Sequence, residues 1–299
     1  MPSPRQPEET AGKCCWNGPD QRSLCGPVSI FTFTQRPQLR KPALVICLNG
    51  WVNAGSAATL VADTLGGEMV ADAEPDLLFD YRVTRPTLDF IEGVMTSLVW
   101  PSISLRWLPL AERDLLVLSG TEPNWNWKRL GNELSHLAVE LGVIEQVSLG
   151  GIPWAWPHTR PIQIIATASD RAHLPDSDER PEGLLRVPSA AVSTIEYMIG
   201  GTGIPTVGFY ARVPQYVGIE YPAAALALIR RLERHVGVEL PTGDLEDQAN
   251  AQRNELDSVS ASRSDLKSMV DQLEAMVDAA KAVSGEELAA EIERFLRGQ

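Results

Sequence analysis

The stretch "PALVICLNGWVNAGSAATLVADTL", residues 42–65, decides the fold class. Residues 43–48 form a continuous apolar run, the pattern of a strand covered on both faces. Asn49-Gly50-Trp51 ends that run, the small-residue cluster Asn53-Ala54-Gly55-Ser56 follows, and residues 54–66 read as a helix. A strand passing to a helix through so short a turn begins a β–α unit. It also raises a question: a large tryptophan stands in a tight strand-to-helix turn, where most chains place small or polar residues.

Outward from this unit the pattern repeats. "PVSIFTF" (27–33) reads as a first strand, and "DLLVLSG" (114–120), "IEQVSLGG" (144–151), "IQIIATA" (162–168) and "PTVGFYARV" (205–213) as further buried ones. Helices are expected at 126–142, 189–200 and 221–236. Strands alternating with helices through short connections predict an α/β fold, a three-layer α/β/α sandwich with a mostly parallel or mixed sheet. "EMVADA", "LLFDYRV" (77–83) and "SISLRWL" (102–108) read as short β pieces, and "TLDFIEGVMTSL" between them as a short helix or more strand. They make a β-rich insertion near 70–108. Its Leu77, Leu78, Phe79, Trp100 and Trp107 suit it to subunit contacts, since exposed apolar area of that size marks an interface.

The ends differ from this core, which spans 27–240. Residues 1–26 are polar and punctuated by Pro and Gly, without the apolar segment of a signal peptide, and read as a flexible tail. Residues 241–299 carry 13 acidic and 6 basic side chains, net −7. There Leu256, Val259, Arg263, Leu266, Val270, Leu273, Val277 and Ala280 follow heptad-like spacing, with Arg263 as the polar interruption. Ser284 and Glu287 have capping-box spacing before a second helix containing Leu288, Ile292 and Leu296. An acidic helical hairpin or lid is expected.

Charge excludes one class of partner. The chain's net charge of −13 repels a polyphosphate, so nucleic acid is not expected. No apolar run reaches the length of a membrane helix, so no membrane is expected either, and the expected location is the cytoplasm. Cys14, Cys15, Cys25 and Cys47 have no metal-ligand spacing. The turn at 49–55 is neither GxGxxG nor a Walker loop. No metal or cofactor is expected.

The tryptophans follow a rule. Trp51 follows the strand at 43–48, Trp125 and Trp127 the strand at 114–119, and Trp154 and Trp156 the strand at 144–150. In a parallel sheet all five start from the carboxyl edge, where open α/β sheets bind ligands. A Trp-lined cleft is expected there. Asn49, Gly50, Trp51, Asn53, Glu122, Trp125, His158 and Arg160 are the candidate ligand-binding residues. Trp127 and Trp156 read equally well as core. Glu122 and His158 are the candidate catalytic pair, with Arg160 to hold an anion. That trio would suit nucleosidase, phosphorylase or amide-hydrolase chemistry. The residues also fit a purely structural role: Glu122 as a helix cap, His158 as a group that fixes its turn.

"NGWVNAGSAA", "FDYRVTRPTL", "LSGTEPNWNW", "GGIPWAWPHTRP" and "GIPTVGFYARVPQYV" together resemble the proteasome assembly chaperone 2 family in its actinobacterial branch, from about residue 28 to 235. The resemblance implies a phosphorylase/hydrolase-like α/β/α fold, similar to purine nucleoside phosphorylases and peptidyl-tRNA hydrolases. It also implies a homo-oligomer, as a trimer, with a C-terminal helical element over a pocket, and proteasome subunits as possible partners. Relatives often carry an aspartate where Asn53 stands. Chaperones of this family can dock by a hydrophobic-tyrosine-any tail, whereas this sequence ends Arg297-Gly298-Gln299, so docking by such a tail is not expected.

Overall fold

The computed structural model describes residues 29–297 apart from 175–177, 182 and 219, and from residue 281 onward its backbone alone. The whole of the expected tail, residues 1–26 with Cys14, Cys15 and Cys25, lies outside the described residues. The strands are β1 (Phe31–Phe33), β2 (Ala43–Leu48), β3 (Glu68–Ala73), β4 (Thr87–Ile91), β5 (Val94–Val99), β6 (Ile103–Pro109), β7 (Asp114–Gly120), β8 (Glu145–Trp154), β9 (Ile164–Ala168) and β10 (Thr206–Pro214). The helices are α1 (Ala57–Leu65), α2 (Trp127–Glu140), α3 (Ala191–Gly200), α4 (Pro222–Val236), α5 (Leu245–Ser262) and α6 (Ser264–Arg297).

Eight strands form one mixed sheet in the order β1-β3-β6-β7-β2-β8-β10-β9. The centre, β7-β2-β8-β10, is parallel. The flanking pairs β1–β3, β3–β6, β6–β7 and β10–β9 are antiparallel. Side chains alternate across a strand, and β2 divides accordingly. Ala43, Val45 and Cys47 join a core with α1, α4 and Leu245 of α5. Leu44, Ile46 and Leu48 join a second core with α2 and α3. The result is the three-layer α/β/α arrangement. Fully burying each such aliphatic side chain contributes about 1.5–3 kcal/mol, so truncating Phe209, which is inaccessible to solvent, would cost about 3–5 kcal/mol.

Two expectations of secondary structure are corrected and one left open is settled; of the residues expected at subunit contacts, Leu78 and Phe79 are instead buried in the core. Residues 77–83 are not a strand: Pro75–Leu77 form a short 3-10 turn. Asp80 then accepts from the Arg82 backbone N–H (3.0 Å) while its own N–H donates to Asn124 Oδ1 (2.8 Å), which removes those groups from any ladder. The stretch left between helix and strand is a two-stranded hairpin, β4–β5. It closes at Glu92 and Gly93, both with positive φ (50° and 82°), the turn geometry that matches strand twist. In the C-terminal pair the corner falls at Arg263, which is extended (φ −119°, ψ 109°). Helix α6 then runs on through Ser284 without the expected restart there. The polar residue that interrupts the stripe is where the helix breaks.

Candidate functional site

The carboxyl ends of β2, β7, β8 and β10 bring the quoted loops to one edge of the sheet. The β2 loop is tied to its neighbours by polar bonds. Asn49 N–H donates to the Gly120 carbonyl (2.9 Å), and its Oδ1 accepts from Glu122 N–H (3.1 Å). Glu122 then returns two bonds: one carboxylate oxygen accepts from Trp51 N–H (3.1 Å), the other from Ala191 N–H (2.7 Å), the first residue of α3. One carboxylate thus joins the β2 loop, the β7 loop and a helix N-terminus, where a negative group suits the dipole.

Gly50 is required by this arrangement. Its φ is +115°, and a Cβ there would lie 2.4 Å from Glu122 Oε2. The opening question therefore has a different answer from pocket-building alone. The turn is small to admit a carboxylate, and Trp51 is the residue turned away, its surface 68% exposed. Asn53 holds the next element. Its Oδ1 accepts from Ala58 N–H (2.8 Å) at the start of α1, and its Nδ2 donates to Thr59 Oγ1 (2.9 Å). Gly151 of β8 admits the same loop closely: it donates to the Val52 carbonyl (2.8 Å), and a Cβ on it would sit 2.3 Å from the Ala54 carbonyl oxygen.

His158 and Arg160 belong to a second cluster. The buried His158 ring contacts Tyr216 Oη through Nδ1 (2.6 Å) and Asp257 Oδ1 of α5 through Nε2 (3.1 Å). Burial pushes the Tyr216 phenol pKa up. Arg160 pairs with Glu274 (3.0 Å) and Asp278 (2.6 Å) on α6, and Thr159 Oγ1 donates to the same Glu274. The Asp278 hydrogen bond is the largest contribution to a raised Arg160 pKa. From α5, Arg253 donates to the Thr159 carbonyl (3.1 Å). The loop after β8 is thus clasped by the C-terminal helices, on which Val270 and Val277 of α6 are also buried.

Among the described residues Glu122 and His158 share no hydrogen-bond partner; each engages its own cluster. Trp125 is 44% exposed and lines a shallow depression of 470 Å³ with Asn124, Asn126, Trp127, Lys128 and Arg129. Trp127 and Trp156 donate their indole N–H groups to Pro123 (2.7 Å) and Pro161 (3.1 Å) carbonyls. Arg212 lies over Trp154 at 4.7 Å and over Trp156 at 5.6 Å. Sequence reasoning missed Arg212, Tyr216, Asp257, Glu274 and Asp278. The acidic residues are three of many along α5 and α6, and only tertiary placement singles them out.

Comparison with known proteins agrees with this architecture. Residues 47–260 match the model of the PAC2 family. A Mycobacterium tuberculosis protein of unknown function is similar at 32% identity and TM-score 0.82, over 88% of this chain and 93% of that one. A proteasome-assembly chaperone homologue from the same organism is 31% identical, with TM-score 0.69 over 76% and 99% of the two chains. A PAC2 family protein from Streptomyces avermitilis is 31% identical, with TM-score 0.68 over 78% and 99%. No match is found among the curated proteins. With the family model spanning well over half of the sequence, and the sheet and its flanking helices matched in these structures, the chain belongs to the PAC2 family.

Proposed function

We propose that the chain is an oligomeric binding and assembly protein, of the kind that its proteasome-assembly chaperone homologue is named for. One observation carries this reading. Every residue of β4 and β5 is exposed, and the hairpin is built largely of large apolar side chains. Its pairing sets Leu88 opposite Leu98 and Phe90 opposite Met95, with a register shift between them. By this pairing these four lie on one face, and Ile91, Val94 and Val99 on the other. With Val83 and Trp100, nine large apolar side chains in or next to the hairpin are exposed, an apolar patch of the kind that marks an interface. A two-stranded hairpin is marginal in water by itself. Covering it with protein completes it, and another copy is always at hand. A trimer of such copies in the cytoplasm, with α5 and α6 as a lid held by the 157–160 clasp, is the arrangement we favour. Proteasome subunits are the favoured client.

The test is a native mass spectrum of the full chain, alone and mixed with unassembled α and β subunits of the core proteasome. A homo-oligomer that takes up subunits supports the whole reading. A homo-oligomer that ignores them supports self-association and removes the client. A monomer overturns the oligomeric reading.

A second reading is favoured by Trp51, which is exposed at the carboxyl edge of the sheet, as are Trp125 and Trp154 on neighbouring strand ends. These residues suit a small planar ligand held by stacking. In this reading Asn49, Gly50, Asn53 and Glu122 shape the rim, and Glu122 and His158 act by positioning loops rather than as acid and base. A compound that raises the melting temperature of the wild type but not of Trp51→Ala is the expected result. An equal rise in both removes Trp51 from any site. Product formation from a nucleoside or amide, lost in both Glu122→Gln and His158→Ala, would instead establish the enzymatic alternative.

A further inference from the structure

The hairpin needs an acceptor, and the chain carries one. Residues 183–188, between β9 and α3, run without helix or strand, and no backbone N–H or C=O among them makes a hydrogen bond with the described residues. Leu184, Leu185 and Val187 are 89%, 60% and 63% exposed. The segment is nevertheless held on both sides. Upstream, the Glu179 carbonyl accepts from Ala166 N–H of β9 (2.7 Å) and its carboxylate pairs with Arg212 (2.6 Å). Downstream, Ala191 N–H is fixed on Glu122 (2.7 Å). An apolar segment with unanswered backbone, anchored at both ends, is a template for strand addition.

We propose that the hairpin β4–β5 of one copy docks on residues 184–187 of the next copy, pairing one of its open edges with that segment. This rests on the oligomeric reading above and adds its geometry. The two elements complement each other. The hairpin sheet has only two strands, so each strand has an outer edge without a partner among the described residues, and the four residues 184–187, when extended, span about 13 Å, enough to pair with most of a five-residue strand. The hairpin's charged residues are Asp89 and Glu92, whereas the segment carries Arg186, which forms no ion pair among the described residues. In a chain of net charge −13, a cation at this place lets two copies approach. Each copy presents one hairpin and one segment, and neither covers the other within a chain. The contact is therefore head-to-tail, which closes into a ring when the rotation permits.

The test uses the full chain with Cys14, Cys15 and Cys25 changed to Ser; Cys47 is buried and stays. Met95→Cys and Leu185→Cys are made singly and together, treated with a short bismaleimide, and read by denaturing gel and native mass spectrometry. The double variant is expected to form a ladder of covalent multimers ending at the size of the native oligomer, with both single variants unlinked. Linked dimers from Met95→Cys alone would show hairpin meeting hairpin and overturn the proposal. An intact oligomer without any links would overturn it too, while leaving self-association standing. A monomer throughout would remove the proposal and the oligomeric reading together.

Discussion

The β2 loop and the β4–β5 hairpin are both short excursions from the main sheet, and their surroundings are opposite. In the loop, Asn49, Trp51, Ala58 and Ala191 all find acceptors for their N–H groups within the chain, through Gly120, Glu122 and Asn53. In the hairpin the strands bond only to each other among the described residues, and Leu88, Phe90, Met95 and Leu98 meet solvent. The loop is complete in one copy, so its failure would show as lost stability. On the proposal above the hairpin is completed by another copy, so its failure would show as lost association.

The largest expected effect tests the hairpin. Phe90→Asp puts a charge on the apolar face and removes its largest side chain. Sedimentation velocity is expected to show dissociation weakened affinity by 100-fold or more, about 2.7 kcal/mol, with the far-ultraviolet circular dichroism of the wild type retained. An oligomer that survives this substitution places the interface elsewhere.

The loop is tested next. Glu122→Ala leaves Trp51 N–H and Ala191 N–H without their partner and is expected to cost about 2–4 kcal/mol, measured by denaturant unfolding. Gly50→Ala is expected to cost about 2–3 kcal/mol, through positive φ and the clash with the carboxylate. The comparison is sharpest when the two are combined. In a Glu122→Gly background the clash is gone, so Gly50→Ala is expected to cost at least 1 kcal/mol less than in the wild type. Additive costs would mean that backbone strain alone requires the glycine.

Much of the fold was legible because burial on both sheet faces leaves a continuous apolar run, and "ALVICL" and "DLLVLSG" have no other simple reading. The hairpin was half legible. Its Glu92-Gly93 turn is a weaker signal than Asn-Gly or Asp-Gly, and its apolar residues serve a face that the single chain does not fill. Residues 77–83 misread as a strand because Leu77, Leu78 and Phe79 are apolar, while the Asp80 side chain takes the local backbone bonds. At the edge of the sheet, sequence reasoning found Glu122 and Gly50 as separate features. Their contact depends on how β2 and β7 align, and their shared purpose is visible only in three dimensions. The clasp was less legible still, because Asp257, Glu274 and Asp278 look like any solvated acid on a helix.

That clasp is expected to give a smaller effect than the loop. Arg160 is partly exposed and Asp278 more so, so Arg160→Ala is expected to change stability only slightly. His158 is buried between Tyr216 and Asp257, and His158→Ala is expected to cost about 1–3 kcal/mol by removing the ring contacts with Tyr216 and Asp257, while the backbone N–H of residue 158 keeps its bond to Tyr216 Oη (2.7 Å). If α5 and α6 are held by this loop, limited proteolysis near Arg263 should be faster in both variants and in 1 M salt, which screens the ion pairs. Unchanged cleavage would show that the apolar contacts of Val270 and Val277 hold the helices alone.

The smallest effect comes from an acid inside the core, where the contrast between satisfied and unsatisfied groups is one of degree. Glu196 of α3 is buried and accepts from Thr167 Oγ1 (3.2 Å) and, at a long 3.4 Å, from Tyr210 Oη. Burial raises its pKa, and the bonds from Ser148, Thr167 and Tyr210 oppose that rise without cancelling it. The folded state therefore keeps this proton to a higher pH than the unfolded chain does. Stability from this group is fully present below the unfolded value, near 4.3, and is lost as pH rises through the raised folded value. Glu196→Gln keeps a side chain able to hydrogen-bond and removes the ionisation. Its melting temperature is expected to gain on the wild type by a few degrees between pH 4 and pH 8, with the gap widening across that window. A constant gap would mean that the hydroxyls around Glu196 offset the cost of ionisation and that the acid is as well satisfied as Glu122.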